Sequence, residues 1–264
     1  MPPEVTSEIK DIFFIYSMTM VRMAAAFNSM PILNKQVVGG AMIRNGIVGS
    51  LAIFMFPMIS AQEPSTSPGM LMIFTLIIKE VMIGMFIGFI ATIPFWALEA
   101  AGFIIDNQRG ASMASTMNPM SGSETSPMGL MFSQAFTCIY LISGVFLILL
   151  GSLFHSYEAW PVFEFWPKLN QSAVLFFLGQ FDLIITLSVW LAAPIMICMF
   201  ITEWGIALIS RSAPQLNVFI LAMPIKSAVA VAILVLYVAT IMKLAKETAG
   251  EFPSVMQVLG RYLM

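Results

Sequence analysis

LIITLSVWLAAPIMICMFIT, residues Leu183–Thr202, is a run of twenty uncharged residues bracketed by Asp182 and Glu203. As a helix rising 1.5 Å per residue it covers roughly 30 Å, one hydrocarbon thickness. In lipid every backbone N–H and C=O must be satisfied internally, which leaves helices as the spanning elements for such a segment. The two flanking charges then sit near opposite ends of the span.

The rest of the chain has the same character. Hydrophobic residues make up 59% and charged residues 10% of its 264 positions, with a mean hydropathy of +0.91, whereas soluble domains are about 25% charged. Apolar stretches run from about Ile12 to Met30, Ala41 to Ser60, Met70 to Phe103, Met128 to Phe154, Val174 to Ser210 and Leu216 to Ala245. Gly, Pro and polar clusters separate them. The expected fold class is all-α, a membrane-type set of helical hairpins. At about 20 residues per span the length holds roughly six helices and no separate soluble domain. A single domain over residues 1–264 follows, with a C-terminal tail from about residue 246.

A net charge of −2 and the lack of any basic tract argue against nucleic acid as a partner, since phosphate binding needs clustered Lys and Arg. The N-terminal MPPEVTSEIKD holds three acids and one lysine, the reverse of a secretory n-region, so the first apolar segment is expected to stay in the mature protein. Cys138 and Cys198 each lie inside an apolar run and are expected to be buried, inert thiols. No nucleophile elbow, zinc-protease or phosphate-loop motif is present, so neither an enzyme nor a cofactor or metal site is expected. His155 has no second histidine and reads as a helix-end residue.

Charges interrupt several of the apolar runs: Arg22 the first, Lys79 and Glu80 the third, Lys226 the last. Each costs about 2.5–3.5 kcal/mol at a lipid-facing helix centre, so these helices are expected to face protein. Lys79, Glu80, Asp182, Glu203 and Lys226 can serve either ion relay in a transporter or packing between subunits, and Asp106 joins them as a packing charge. Pro57, Pro94, Pro194 and Pro224 fall within or near the ends of apolar runs and predict kinked or broken helices. Positive-inside counting conflicts with six-span threading. Lys35 and Arg44 place the first loop in the cytoplasm, which puts Lys243, Lys246 and Arg261 on the other side. Either the span count is odd or some apolar helices never cross the bilayer.

One stretch breaks the pattern. IIDNQRGASMASTMNPMSGSETSPMG, Ile104–Gly129, is polar and rich in small residues and methionine between two strongly apolar segments. Gly110, Gly122, Pro119 and Pro127 resist helix, so a loop over about residues 106–128 is expected. By length alone it can be an ordinary exposed connection. Asp106 and Arg109, three apart, can pair at its base. The 23 methionines can be soft apolar filler, whereas those of the loop suit a yielding seal.

Two blocks carry a resemblance: PFWALEAAGFIIDNQRGASMAS (Pro94–Ser115) and ALISRSAPQLNVFILAMPIKSA (Ala207–Ala228). LNKQVVGGAMIRNGIVGSLA (Leu33–Ala52) and LFHSYEAWPV (Leu153–Val162) extend it. They resemble the T-subunit family of the bacterial type III secretion export apparatus, which includes the flagellar FliR proteins, and more closely its injectisome branch of Yersinia type. The resemblance implies a non-enzymatic, pore-forming subunit of the export gate in the bacterial inner membrane. It implies a fold like a fusion of R-like and S-like subunits, lying largely above the plane hydropathy would assign. It further implies one T subunit with five R and several S subunits, and beside them the U subunit (the autoprotease switch), the V subunit, an inner-rod or needle-adaptor protein, membrane lipid and unfolded secretion substrates. Energy comes from partner ATPase and proton-motive machinery. The matching loop is a plug that helps close the channel, formed here by Arg109, Gly110, Ser112, Met113, Met117, Asn118, Pro119, Met120, Gly122, Pro127 and Met128. A secondary transporter for a small solute is the rival class, although the two repeated halves it should show are not visible. A scaffold that nucleates the assembly without gating shares every feature.

Overall fold

A computed structural model describes residues 3–33, 39–61, 69–111, 126–164, 171–212 and 218–263. Among these residues the chain is all-α, with no strand. The helices are α1 (Pro3–Ser29), α2 (Ala41–Ser60), α3 (Met70–Gln108), α4 (Pro127–Ile142), α5 (Val145–Ala159), α6 (Gln171–Ser212), α7 (Val218–Gly250) and α8 (Phe252–Leu263), with a 3-10 turn at Pro31–Leu33. Among the described residues four stretches are long and apolar enough to cross a membrane, or five if the bent pair α4–α5 is counted as one span.

The apolar stretches became helices, but the breaks lie elsewhere than the prolines suggest. Pro57, Pro94, Pro194 and Pro224 all lie inside helices that run on past them. In an apolar setting a chain that leaves the helix strands several backbone groups, whereas proline removes only one N–H. The break comes instead within the stretch Met128–Phe154, where Gly144 takes a left-handed φ of 79° between the end of α4 and the start of α5. A Cβ would disfavour that backbone. The tail is helical as well: α7 runs on to Gly250, and α8 follows it after one residue.

Contacts gather the chain into two compact units. The first holds Met1–Thr92, Gly144–Leu178 and Gly250–Met264; the second holds Ile93–Ser143 and Gly179–Ala249. In the first unit α1 packs on α2 and α3. Gly84 and Gly88, one turn apart on α3, lie so close to α1 that a methyl on either would run into the backbone of Arg22 or Ala26. This is the small-xxx-small packing by which membrane helices bring their backbones together. Tyr16 donates its hydroxyl to the Gly49 carbonyl at 3.1 Å, tying α1 to α2. Helix α8 is amphipathic, burying Phe252, Met256 and Leu259 where it packs on α5. In the second unit Phe95 stacks edge-on to Phe136 with centroids 4.8 Å apart, and Tyr140 sits 5.3 Å from Phe95. Gly102 of α3 and Gly129 of α4 meet backbone to backbone, leaving no room for a side chain between them.

Large apolar side chains also cover the outside: Phe54, Leu71, Ile142, Trp190, Trp204 and Leu236 are all exposed. Cys138 is exposed and Cys198 half-buried, contrary to the expectation of buried thiols. An apolar run is core only on the face that meets a partner element, and these helices turn other faces outward.

Candidate functional site

The polar stretch around residues 106–128 has its two ends fixed by one carboxylate. Asp106 lies in the last turn of α3, and its side chain is almost fully buried. Oδ1 accepts from Arg109 Nε at 2.7 Å, and the Arg109 Nη2 lies at the same distance. Oδ2 accepts from the Ser126 hydroxyl at 2.5 Å and from the Met128 backbone N–H at 3.0 Å. Residues before and after the stretch therefore share one anchor.

The local sequence explains each half of this neck. On the outgoing side the N–H of Gly110 bonds the Asn107 carbonyl at 3.1 Å and that of Ala111 bonds Asp106 O at 2.9 Å, the paired bonds of a Schellman helix end. That motif places its C′ residue in the left-handed region, and Gly110 has φ 84°. On the returning side Ser126 caps α4 by accepting from the Gly129 N–H at 2.9 Å, and Pro127 occupies the first helical turn, where a missing N–H is harmless. The Asp106 carboxylate thus sits against the free N–H groups and positive dipole end of α4. Both ends of the expected loop 106–128 are helical, Asp106 in α3 and Met128 in α4, and residues 112–125 lie outside the described residues.

Nearby in the same unit a second polar group interrupts the apolar helices. Lys226 Nζ of α7 lies 3.1 Å from Glu203 Oε2 of α6, and the Gln108 amide donates weakly to the same oxygen at 3.4 Å. Lys226 is mostly covered, while 45% of the Glu203 side chain remains exposed. Asp182 is exposed on α6, with no ion pair among the described residues.

The first unit holds a buried charge cluster. Arg22 of α1 is fully buried and uses all five N–H donors. Nε and Nη2 grip Glu80 of α3 at 2.6 and 2.9 Å. Nη1 reaches the carbonyl and hydroxyl of Ser156 at 2.7 and 3.1 Å, and Nη2 also reaches the Trp160 carbonyl at 2.7 Å. Beneath the guanidinium lies the Tyr157 ring, 4.1 Å from its centroid, whose hydroxyl donates to Thr19 O at 2.7 Å. Lys79 pairs with Glu80 at 3.1 Å and donates to the carbonyls of Pro161, Val162 and Glu164. Arg22 thus meets the C-terminal carbonyls of α5, a favourable match to the helix dipole, while Lys79 meets those of the segment that follows, and both share the Glu80 carboxylate.

Lys79, Glu80, Asp106, Glu203 and Lys226 therefore all find partners within this chain. Of the expected plug residues, Arg109, Gly110, Pro127 and Met128 form the neck, whereas Ser112, Met113, Met117, Asn118, Pro119, Met120 and Gly122 lie outside the described residues. His155 is exposed and pairs with Glu158 at 2.9 Å. The link from Arg22 to Glu80 and Ser156 spans 58 and 134 residues, and no local pattern signals it. Gly84-xxx-Gly88 is a local signal from which the α1–α3 contact is readable. Among the described residues no cluster of three His, Cys, Asp or Glu could hold a metal ion.

Known proteins place this arrangement. The sequence model of the bacterial export proteins, family 1, matches residues 13–252. The chain is 50% identical over 232 residues to Yop proteins translocation protein T of Yersinia pestis, covering 88% of each. It is 36% identical to the secretion system apparatus protein SsaT of Salmonella typhimurium, over 75% of this chain and 76% of that one. To the flagellar biosynthetic protein FliR of Bacillus subtilis it is 27% identical, over 89% and 90%. None of the three carries an enzyme's name. With its four or five apolar helices the chain is a multi-pass inner-membrane protein. It belongs to the bacterial export proteins, family 1, the T-subunit family of type III secretion export apparatuses.

Proposed function

We propose that this chain works as one structural, pore-forming domain of the export gate, joining R and S subunits and helping unfolded substrates across the inner membrane, with the segment Arg109–Met128 as its closing plug. The observation that carries the plug reading is the neck. One carboxylate, that of Asp106, holds residues on both sides of the segment. A tether at the base and small, Met-rich residues beyond it suit an element that must stay in place and yield to varied polypeptides. The exposed Asp182 and the half-exposed Glu203 of the Glu203–Lys226 pair are the charges best placed to meet neighbouring subunits, because lipid would penalise them.

Replacing Ser112–Thr125 by a short Gly-Ser linker, with Ser126 kept as helix cap, separates gating from scaffolding. In cells that express the whole apparatus, a plug predicts unchanged assembly together with leakage of small ions and metabolites. Unchanged assembly without leakage would leave the chain a scaffold. A chain that purifies alone and accumulates a small solute in vesicles would instead support the transporter.

A further inference from the structure

A groove of about 650 Å³ opens in the first unit between the end of α5 and the amphipathic α8. We propose that it holds a phospholipid headgroup, with the phosphate oxygens taken up on the Arg261 side. The groove is distinct from the neck and backs onto the Arg22 cluster through Ser156 and Trp160, and the plug reading does not touch it.

Two observations point to this ligand. Its floor is apolar, made by Ala159, Trp160, Pro253 and Met256, while its rim carries Gln257 and Arg261 from α8 and the His155–Glu158 pair from α5. Arg261 is exposed and faces no carboxylate within ion-pair distance among the described residues. A cation without an anion thus edges a cavity with an apolar floor. The complementary ligand brings anionic oxygen on an apolar body.

A phosphodiester with its glycerol and upper acyl carbons has that shape. The wall that would receive it is stiff: the Trp160 carbonyl is held by Arg22 at 2.7 Å and its N–H by Ser156 O at 3.0 Å. The exposed polar side chains of His155, Glu158 and Arg261 place the rim in water or among headgroups. An amphipathic helix with Arg on its polar side fits the same depth. Glu158, at the other rim, can take the ammonium of an ethanolamine headgroup, so a zwitterionic lipid finds a place for both charges.

The test is lipid retention. The full chain, purified in mild detergent with the subunits that accompany it, is stripped of loose lipid, offered phosphatidylethanolamine or phosphatidylglycerol in mixed micelles, and counted by native mass spectrometry. One lipid should stay bound. Arg261→Gln should lower its retention by about fivefold, the weight of one basic residue near a lipid surface. Arg261→Lys should restore most of it, with the melting temperature of all three unchanged. Preference for the ethanolamine lipid that disappears in Glu158→Gln would support the two-charge placement. The proposal is overturned if wild type and Arg261→Gln retain lipid equally, if inorganic phosphate alone displaces the lipid at millimolar concentration, or if a peptide from a partner subunit is found cross-linked to Trp160 in place of lipid.

Discussion

Arg22 illustrates what a residue can hide from its sequence context. Alone in an apolar run it reads as an expensive charge; in the fold each of its N–H groups has an acceptor. Shape matters as much as charge here, because only the guanidinium fork reaches Glu80, Ser156 and Trp160 together. Arg22→Lys should therefore destabilise nearly as much as Arg22→Met, by about 3–5 kcal/mol for a broken buried pair. Thermal unfolding of the purified chain checks this, and a lysine variant as stable as wild type would show that charge alone suffices. Asp106 is the corresponding residue in the second unit. Asp106→Asn keeps one acceptor oxygen but gives up the charge that meets Arg109 and the α4 N-terminus, a loss of about 1–2 kcal/mol. Its expected signature is faster protease nicking within residues 112–125, with global stability lowered by no more than that amount. Equal nicking in both proteins would show that the neck does not restrain the segment.

Among the elements, glycines decide where helices can touch. At Gly102 an added methyl would run into Gly129, and at Gly129 it would lie 2.8 Å from Glu99 O, so α3 and α4 cannot cross as they do with any larger residue. Gly102→Ala should destabilise by about 1–3 kcal/mol through overpacking. Gly151→Ala, in α5 with open space around it, should be neutral or stabilising by about 0.5–1 kcal/mol. Melting curves of the two variants give the contrast; equal shifts would mean that the crossing relaxes freely. The same elements show what was legible. Ala41–Ser60 matches its helix end to end, because a Gly-rich start and a polar stop bracket a uniform apolar run. The break at Gly144 was hidden inside Met128–Phe154, since prolines were read as the breakers and a lone glycine carries a weaker signal. Of the candidate site, the Asp106–Arg109 pairing followed from i,i+3 spacing, whereas the reach of Asp106 to Ser126 and Met128 depends on the chain's return path, which no local pattern specifies.

For the whole molecule, helix length and hydropathy are in conflict, and the conflict is informative. Helix α6 has 42 residues, about 63 Å at 1.5 Å per residue, roughly twice a hydrocarbon core of about 30 Å. Exposed apolar residues nevertheless run along it from Leu175 and Leu178 through Trp190 to Trp204 and Leu208. Lipid can cover only about twenty of those residues, even allowing for the tilt common in membrane helices. The remaining apolar surface needs protein, which is how positive-inside counting could fail for a chain of such uniform hydropathy. A chain whose Cys138 and Cys198 are replaced by Ala, carrying single cysteines at Leu175, Trp190 and Leu208, makes this measurable. Expressed alone in membranes, it should react with a water-soluble maleimide at Leu175 or Leu208, or both, and not at a lipid-covered Trp190. Co-expression with R and S subunits should protect the reactive position, since burying such a face is the gain that drives assembly. Lys226→Ala, which leaves Glu203 unpaired beside that surface, should weaken the protection and the co-purification together. If the reactive position stays open with partners present, the face is not a subunit interface. If all three positions are unreactive in the chain alone, α6 lies wholly within a bilayer, and the multi-span transporter topology becomes the better account of the same hydrophobic sequence.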